Sequence, residues 1–307
     1  MARRRTLLLL ALLALAVGGY ALYRLPDWAA RFLADSLSGF FHRPVRVGSV
    51  RFELFPLQAE VRDVAVSGLT ADAPPFLEVV RAQVTPSLAP LRGRQVVLSR
   101  VRIEGLRVRV NAFPDPPEGL GGDDIPKMGG PGRGGLQVSV SRLVIQGGEF
   151  VLNHERVPLD LDLPEFHGRL VEEANRGLAG HVSFRPGDLR FGAAPPLLLG
   201  TEIDLRFSQG QLTVDAGRIY AEGTDLGYQG RLRLSARPQG QFNLKGPVGL
   251  AILERHVMRS GLGFEGVGRW DGVLSVDGSR LRIEGRMEGT NGAFMGFPVA
   301  RFEGRVT

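Results

Sequence analysis

Apolar and polar residues alternate along most of this chain with a period of two. Val101-Arg102-Ile103, Leu106-Arg107-Val108-Arg109-Val110, Leu136-Gln137-Val138-Ser139-Val140, Ile203-Asp204-Leu205-Arg206-Phe207 and Arg231-Leu232-Arg233-Leu234 each put apolar side chains on one side of an extended backbone and polar ones on the other. Read throughout, the pattern predicts nineteen short strands: 45–54, 57–66, 76–84, 95–103, 106–111, 136–145, 149–152, 158–163, 178–184, 188–191, 201–207, 211–215, 218–222, 228–235, 240–244, 267–276, 280–287, 293–297 and 299–306. Most gaps between them are a few residues long, and many carry turn residues, as in Gly147-Gly148, Asp277-Gly278 and Asn291-Gly292. Loops that short join antiparallel neighbours, because a parallel crossover takes a dozen residues or more. The expected fold is all-β, an elongated antiparallel sheet with one apolar face.

Three segments break the alternation. Residues 1–24 hold an apolar run, Thr6 to Tyr23, behind Arg3-Arg4-Arg5. As a helix, ~18 residues rise ~27 Å, enough to cross most of a ~30 Å hydrocarbon core. The positive flank then places Met1 in the cytoplasm and the rest of the chain outside it. A cleaved signal peptide ending at Ala14-Leu15-Ala16 is the competing reading, but it would leave an apolar core of barely seven residues. Residues 25–42 form an amphipathic helix, with Trp28, Phe32, Leu33, Leu37, Phe40 and Phe41 near one face. It could lie on the membrane surface, plug an open end of the sheet, or simply pack in a core.

The third segment, 112–135, contains Pro114-Asp115-Pro116-Pro117 and Gly129-Gly130-Pro131-Gly132, and is read as a flexible linker between a β unit at 43–111 and a continuing one at 136–307. A short helix is expected at 247–260, with Leu250, Leu253 and Val257 on one side and Gly261 just past its end.

Composition sharpens this picture. The 42 glycines are about twice the usual ~7% share and, with 20 prolines, point to many turns and bulges. Cysteine is absent, which excludes disulfides, thiolate zinc sites and cysteine nucleophiles. The net charge of +6 comes from arginines scattered among acids along strands, without the basic and aromatic interleaving of a nucleic-acid platform, so no nucleic-acid partner is expected.

Candidate chemistry is sparse. Gly130 to Gly135 and Gly261 to Gly266 both fit G-x-G-x-x-G, but neither has a strand before it and a helix after it. His42, His154, His167, His181 and His256 have no second ligand at metal spacing, and Asp160 and Asp162 alternate with leucines as a solvated strand face does. No enzyme activity, metal or cofactor is expected.

The block Arg43-Pro44-Val45-Arg46-Val47-Gly48-Ser49-Val50-Arg51-Phe52-Glu53-Leu54-Phe55-Pro56-Leu57, continuing to Val61-Arg62-Asp63-Val64, resembles the opening of the AsmA-like superfamily. Pro75 to Val79, Leu91-Arg92-Gly93-Arg94 and Val101 to Gly105 resemble its next elements, and the later strands are closest to TamB-type proteins. The similarity covers about 25–110 and is architectural beyond that; Gly105 stands where the superfamily often has proline, and TamB-type chains are far longer. Because Thr307 ends an apparent strand, we expect either that the native product continues or that a partner strand covers this end.

The resemblance implies a sheet curled into an open groove (a β-taco), anchored in the inner membrane and reaching through the periplasm toward the outer one, of a kind implicated in moving phospholipids between the two membranes and in outer-membrane assembly. The alternation leads to a compatible place, since a sheet with one apolar face must cover it and this chain has little helix to do so. A β-sandwich, in which two apolar faces cover each other, is the ordinary alternative. In a groove, acyl chains would meet Phe52 and Leu54, then Val101, Ile103, Val108 and Val110, then Val138 and Val140. Ile203, Leu205 and Phe207 would continue the lining through Leu232 and Leu234 to Leu274, Val276, Leu281 and Ile283. A different use of the same sheet is a scaffold for outer-membrane β-barrel proteins, engaging them by strand addition at an edge.

Overall fold

The computed structural model describes residues 24–70, 73–87, 95–112, 137–154, 159–173, 177–193, 195–233, 238–258, 263–278 and 280–306. Residues 24–41 are helical (α1). Nearly everything after them joins one curved, unclosed sheet of sixteen strands. These are β1 (Val45–Leu54), β2 (Leu57–Val66), β3 (Leu77–Pro86), β4 (Gln95–Ala112), β5 (Gln137–Val140), β6 (Arg142–His154), β7 (Leu159–Glu172), β8 (Leu178–Phe191), β9 (Leu197–Ser208), β10 (Gln211–Ala221), β11 (Thr224–Arg233), β12 (Gln239–Gly249), β13 (Phe264–Glu265), β14 (Val267–Asp277), β15 (Arg280–Phe294) and β16 (Phe297–Val306).

Strands follow one another across the sheet in chain order. β5 runs on into β6 along the far side of β4, and β13 into β14 along β15. The sheet therefore has fourteen ladder positions and spans about 60 Å across its strands.

The expectation of an antiparallel sheet throughout is corrected at one place. β4 pairs with β5 and β6 in parallel, Gln95 opposite Gln137 and Val101 opposite Leu143, and every other pairing is antiparallel. The segment between β4 and β5 is long enough to return the chain to the same end of the sheet, as a parallel step requires. It falls outside the described residues, so the linker reading of 112–135 lies there too, apart from Ala112, which ends β4.

Several expected breaks are also corrected. The gaps at 104–105, 146–148 and 185–187 are not turns between strands but interior points of β4, β6 and β8. In seven successive strands two consecutive residues lie off the apolar face where strict alternation allows one. The pairs are Gly48-Ser49, Arg62-Asp63, Val80-Arg81, Glu104-Gly105, Gln146-Gly147, Pro164-Glu165 and Arg185-Pro186. Left-handed backbone makes the inversion at many of these points: φ is +54° at Asp63, +65° at Gly105, +63° at Gly147 and +50° at Glu165. Because β1 to β4 invert at the same level, their register is unbroken across it. Bulges bend and twist a strand, so a row of them across neighbouring strands acts as a crease.

Gly105 shows why the crease needs its residue types. Its φ is in the left-handed region, and an added Cβ would sit 2.7 Å from Val80 Cγ2 and 2.9 Å from Val80 Cβ. Gly105→Ala is expected to lower stability by ~2–4 kcal/mol, combining left-handed strain of ~1–2 with overlap against β3. Urea midpoints check this: adding Val80→Ala should restore only the Cγ2 share of the overlap, since the Cβ at 2.9 Å remains, and leave the backbone part.

The 247–260 helix is shorter than expected. Residues 247–249 complete β12, the α-helix α2 covers only Leu250–Leu253, and a π-helical turn follows over Glu254–Met258. Pro247 is compatible with strand here because the ladder with β11 ends at Lys245, so beyond it β12 pairs only with β14. No helix among the described residues is long and apolar enough to cross a membrane. The expected anchor, 1–24, lies outside them apart from Arg24.

Candidate functional site

The inversions put the apolar residues of both halves of each long strand on one face. Val101 and Ile103 have odd numbers while Val108 and Val110 have even ones, and strict alternation would set the two pairs on opposite sides. With Gly105 between them, Ile103, Val108 and Val110 all pack against the core built by Val45, Val50, Val61, Val64, Val66, Phe76 and Val79. Registered pairs carry the same face onward. Ile103 lies opposite Ile145 and Val108 opposite Phe150, Ile203 opposite Val182, Leu205 opposite Val214, and Leu274 opposite Ile283.

The expected lining residues are therefore brought onto one side, with qualifications. Leu54, Val138 and Leu281 are placed by register alone, opposite Leu57, Val96 and Val276, and Leu234 lies outside the described residues. The middle of the face is deepest: Ile145, Leu163, Val182 and Val214 are buried close to the crease. Toward strand ends the same face opens, leaving Phe52 41%, Phe207 38% and Ile283 49% exposed. A face-to-face sandwich would have covered these ends as well.

Two ends of the face are covered from above. Over β1 to β4, Ala29, Ala30, Leu33, Leu37 and Phe41 of α1 pack on the core, and Val66 there has no exposed surface. The single apolar face expected for this helix is thus split, because Trp28 and Phe32 point away and are 58% and 45% exposed. Over the other end, Leu250 and Leu253 of α2 roof a cavity of about 280 Å³ walled by Phe264, Met287, Phe294, Val299 and Phe302. Among the described residues, no helix covers the strands between, from β6 to β11.

Sequence reading missed the aromatic floor of this open middle. Phe166 and Phe184 stack with centroids 4.7 Å apart, and Tyr228 meets Phe242 edge-on at 6.4 Å. Glycines that composition assigned to turns lie under such rings: a Cβ on Gly217 would come 2.3 Å from Tyr228 Cζ, and one on Gly289 2.2 Å from Phe302 Cζ. The cross-strand partner of an aromatic residue must give way to let its ring lie flat, and glycine does so at no steric cost. Tyr228 also brings a polar contact to this middle, sharing a 3.2 Å hydrogen bond with Thr201, and burial pushes its phenol pKa up.

The opposite face carries the charge. Glu60 accepts hydrogen bonds from Arg62 and, at 2.9 Å, from Arg81 Nε, which hold its carboxyl below the usual range; Arg81 also faces Glu104 at 3.6 Å. Arg107 bridges Glu78 and Glu149, and Arg206 and Arg218 make forked contacts with Asp215 and Asp225. These cross-strand pairs give the face a balanced charge and leave the apolar face as the place where a ligand gains most from leaving water. No family model, no curated protein and no solved structure matches this chain.

Proposed function

We propose that the sheet is a conduit for phospholipid acyl chains, held at the inner membrane by the Thr6 to Tyr23 segment and extending through the periplasm toward the outer membrane. The observation that carries this reading is that no helix among the described residues lies over the apolar face of β6 to β11 and that the face opens toward its strand ends. Apolar side chains run continuously from beneath α1 to beneath α2, and burying such surface is worth ~25 cal/mol per Å² to whatever covers it. An acyl chain is a fitting cover because it needs no hydrogen-bond partner and can slide from one ring or branched side chain to the next. The groove form, the anchor, the periplasmic location and the likeness to AsmA-like and TamB-type proteins belong to the same proposal. It assigns the chain no chemistry of its own.

Strand addition to an outer-membrane β-barrel protein would instead use the outer edges of β1 and β16, each of which has one neighbour among the described residues. The groove reading explains the apolar middle, which an edge does not. Mass spectrometry of the full chain after gentle extraction tests it. At least one phospholipid per chain is expected, whereas a lipid-free protein that stays monomeric in water would refute the conduit.

A further inference from the structure

The surface of α1 divides into three stripes at ~100° per residue. Ala29, Ala30, Leu33, Leu37 and Phe41 hold the sheet. Arg24, Asp27, Arg31 and Asp35 form a charged stripe, all exposed, with Arg24 and Asp27 3.9 Å apart. Leu25, Trp28 and Phe32 form a separate apolar stripe roughly 130° round from the first. They are 37%, 58% and 45% exposed, and the Trp28 and Phe32 rings are stacked at 5.3 Å. None of the three is among the side chains packed on the core beneath α1. Leaving a tryptophan, a phenylalanine and a leucine in water is costly unless something covers them.

We propose that this stripe docks on the lipid bilayer, so that α1 lies in the headgroup and acyl boundary while its other side roofs the first strands of the sheet. Three observations select a lipid surface as the occupant. The stripe directly follows the apolar Thr6 to Tyr23 run, which brings it to a membrane wherever that run is inserted. Its composition, led by a stacked tryptophan, matches the aromatic belts found at membrane interfaces. The neighbouring charges sum to zero, two arginines against two aspartates, so the helix has a polar flank for water without demanding an acidic partner. The inference rests on the anchor reading above and adds to it: the open face would begin at the bilayer surface.

The chain has no cysteine, so single nitroxide labels can be placed cleanly. Full-length Leu25→Cys, Phe32→Cys and, as a control on the charged stripe, Asp35→Cys would be labelled and reconstituted in phosphatidylcholine vesicles. Collision rates with oxygen and with a water-soluble nickel complex then report depth. Labels at 25 and 32 should favour oxygen several-fold over nickel and the label at 35 the reverse, with the same ratios when anionic lipid is added. Trp28→Ser should raise nickel access at position 25 several-fold. If the protein joins the vesicles but labels at 25 and 32 meet nickel as freely as the label at 35, the docking is refuted and the anchor stands. Failure to join the vesicles would refute both. Depth that appears only with anionic lipid would overturn an apolar docking in favour of basic attraction.

Discussion

Val66→Asp should unfold the β1 to β4 end of the sheet. Val66 has no exposed surface, and it lies in the core between β1, β3 and the roof of α1, opposite Val45 and Leu77. A carboxylate there is enclosed by apolar side chains, so it must be buried charged or take up a proton, at a cost of ~4 kcal/mol or more. The expected readout is a large fall in the urea midpoint, together with loss of protection from hydrogen exchange in β1 to β4. Outward changes on the same strands, such as Arg46→Ser, should shift the midpoint little. A small effect at Val66 would mean that α1 does not seal this end.

How far these features could be read from the sequence differs from element to element. The strands were legible because Val, Leu and Ile alternate with Arg, Asp and Glu, a period that no helix produces. The crease was written there too, as a doubled gap in the alternation: Arg62-Asp63 between Val61 and Val64, or Glu104-Gly105 between Ile103 and Leu106. It was misread because a glycine flanked by alternating residues looks the same at a turn as at an inversion inside a strand. What separates the two is whether the next strand inverts at the same level, and register is a property of the paired chains.

The parallel step from β4 to β6 was hidden for a related reason. Short loops fix antiparallel neighbours, but a long Pro and Gly-rich segment permits either direction, and cross-strand packing then decides. The split surface of α1 was half legible, since its apolar residues span too wide an arc for one stripe. Which of them face the sheet depends on where β1 to β4 present their valines. The rings over Gly217 and Gly289 were not legible at all, because they depend on which strands lie side by side and in what register.

The central claim is that the open parts of the apolar face meet lipid, and opposed charges on the two faces test it most directly. Phe207 and Ile283 are 38% and 49% exposed on that face, so a carboxylate at either position reaches water when no lipid is present. Ser275 lies on the other face, opposite Arg282, where an added carboxylate gains a partner. Placed against an acyl chain, by contrast, a carboxylate costs ~2.5–3.5 kcal/mol, enough to displace the chain from the stretch around it. The measurement is phospholipid bound per chain, beside the melting temperature, for wild type, Ser275→Glu and the Phe207→Glu/Ile283→Glu pair. Ser275→Glu should melt within about 3 °C of wild type and the pair several degrees lower, because its two side chains are half covered, with lipid retained in wild type and Ser275→Glu and reduced several-fold in the pair. Unchanged lipid in the pair, or a loss of stability there as large as that of Val66→Asp, would contradict the claim.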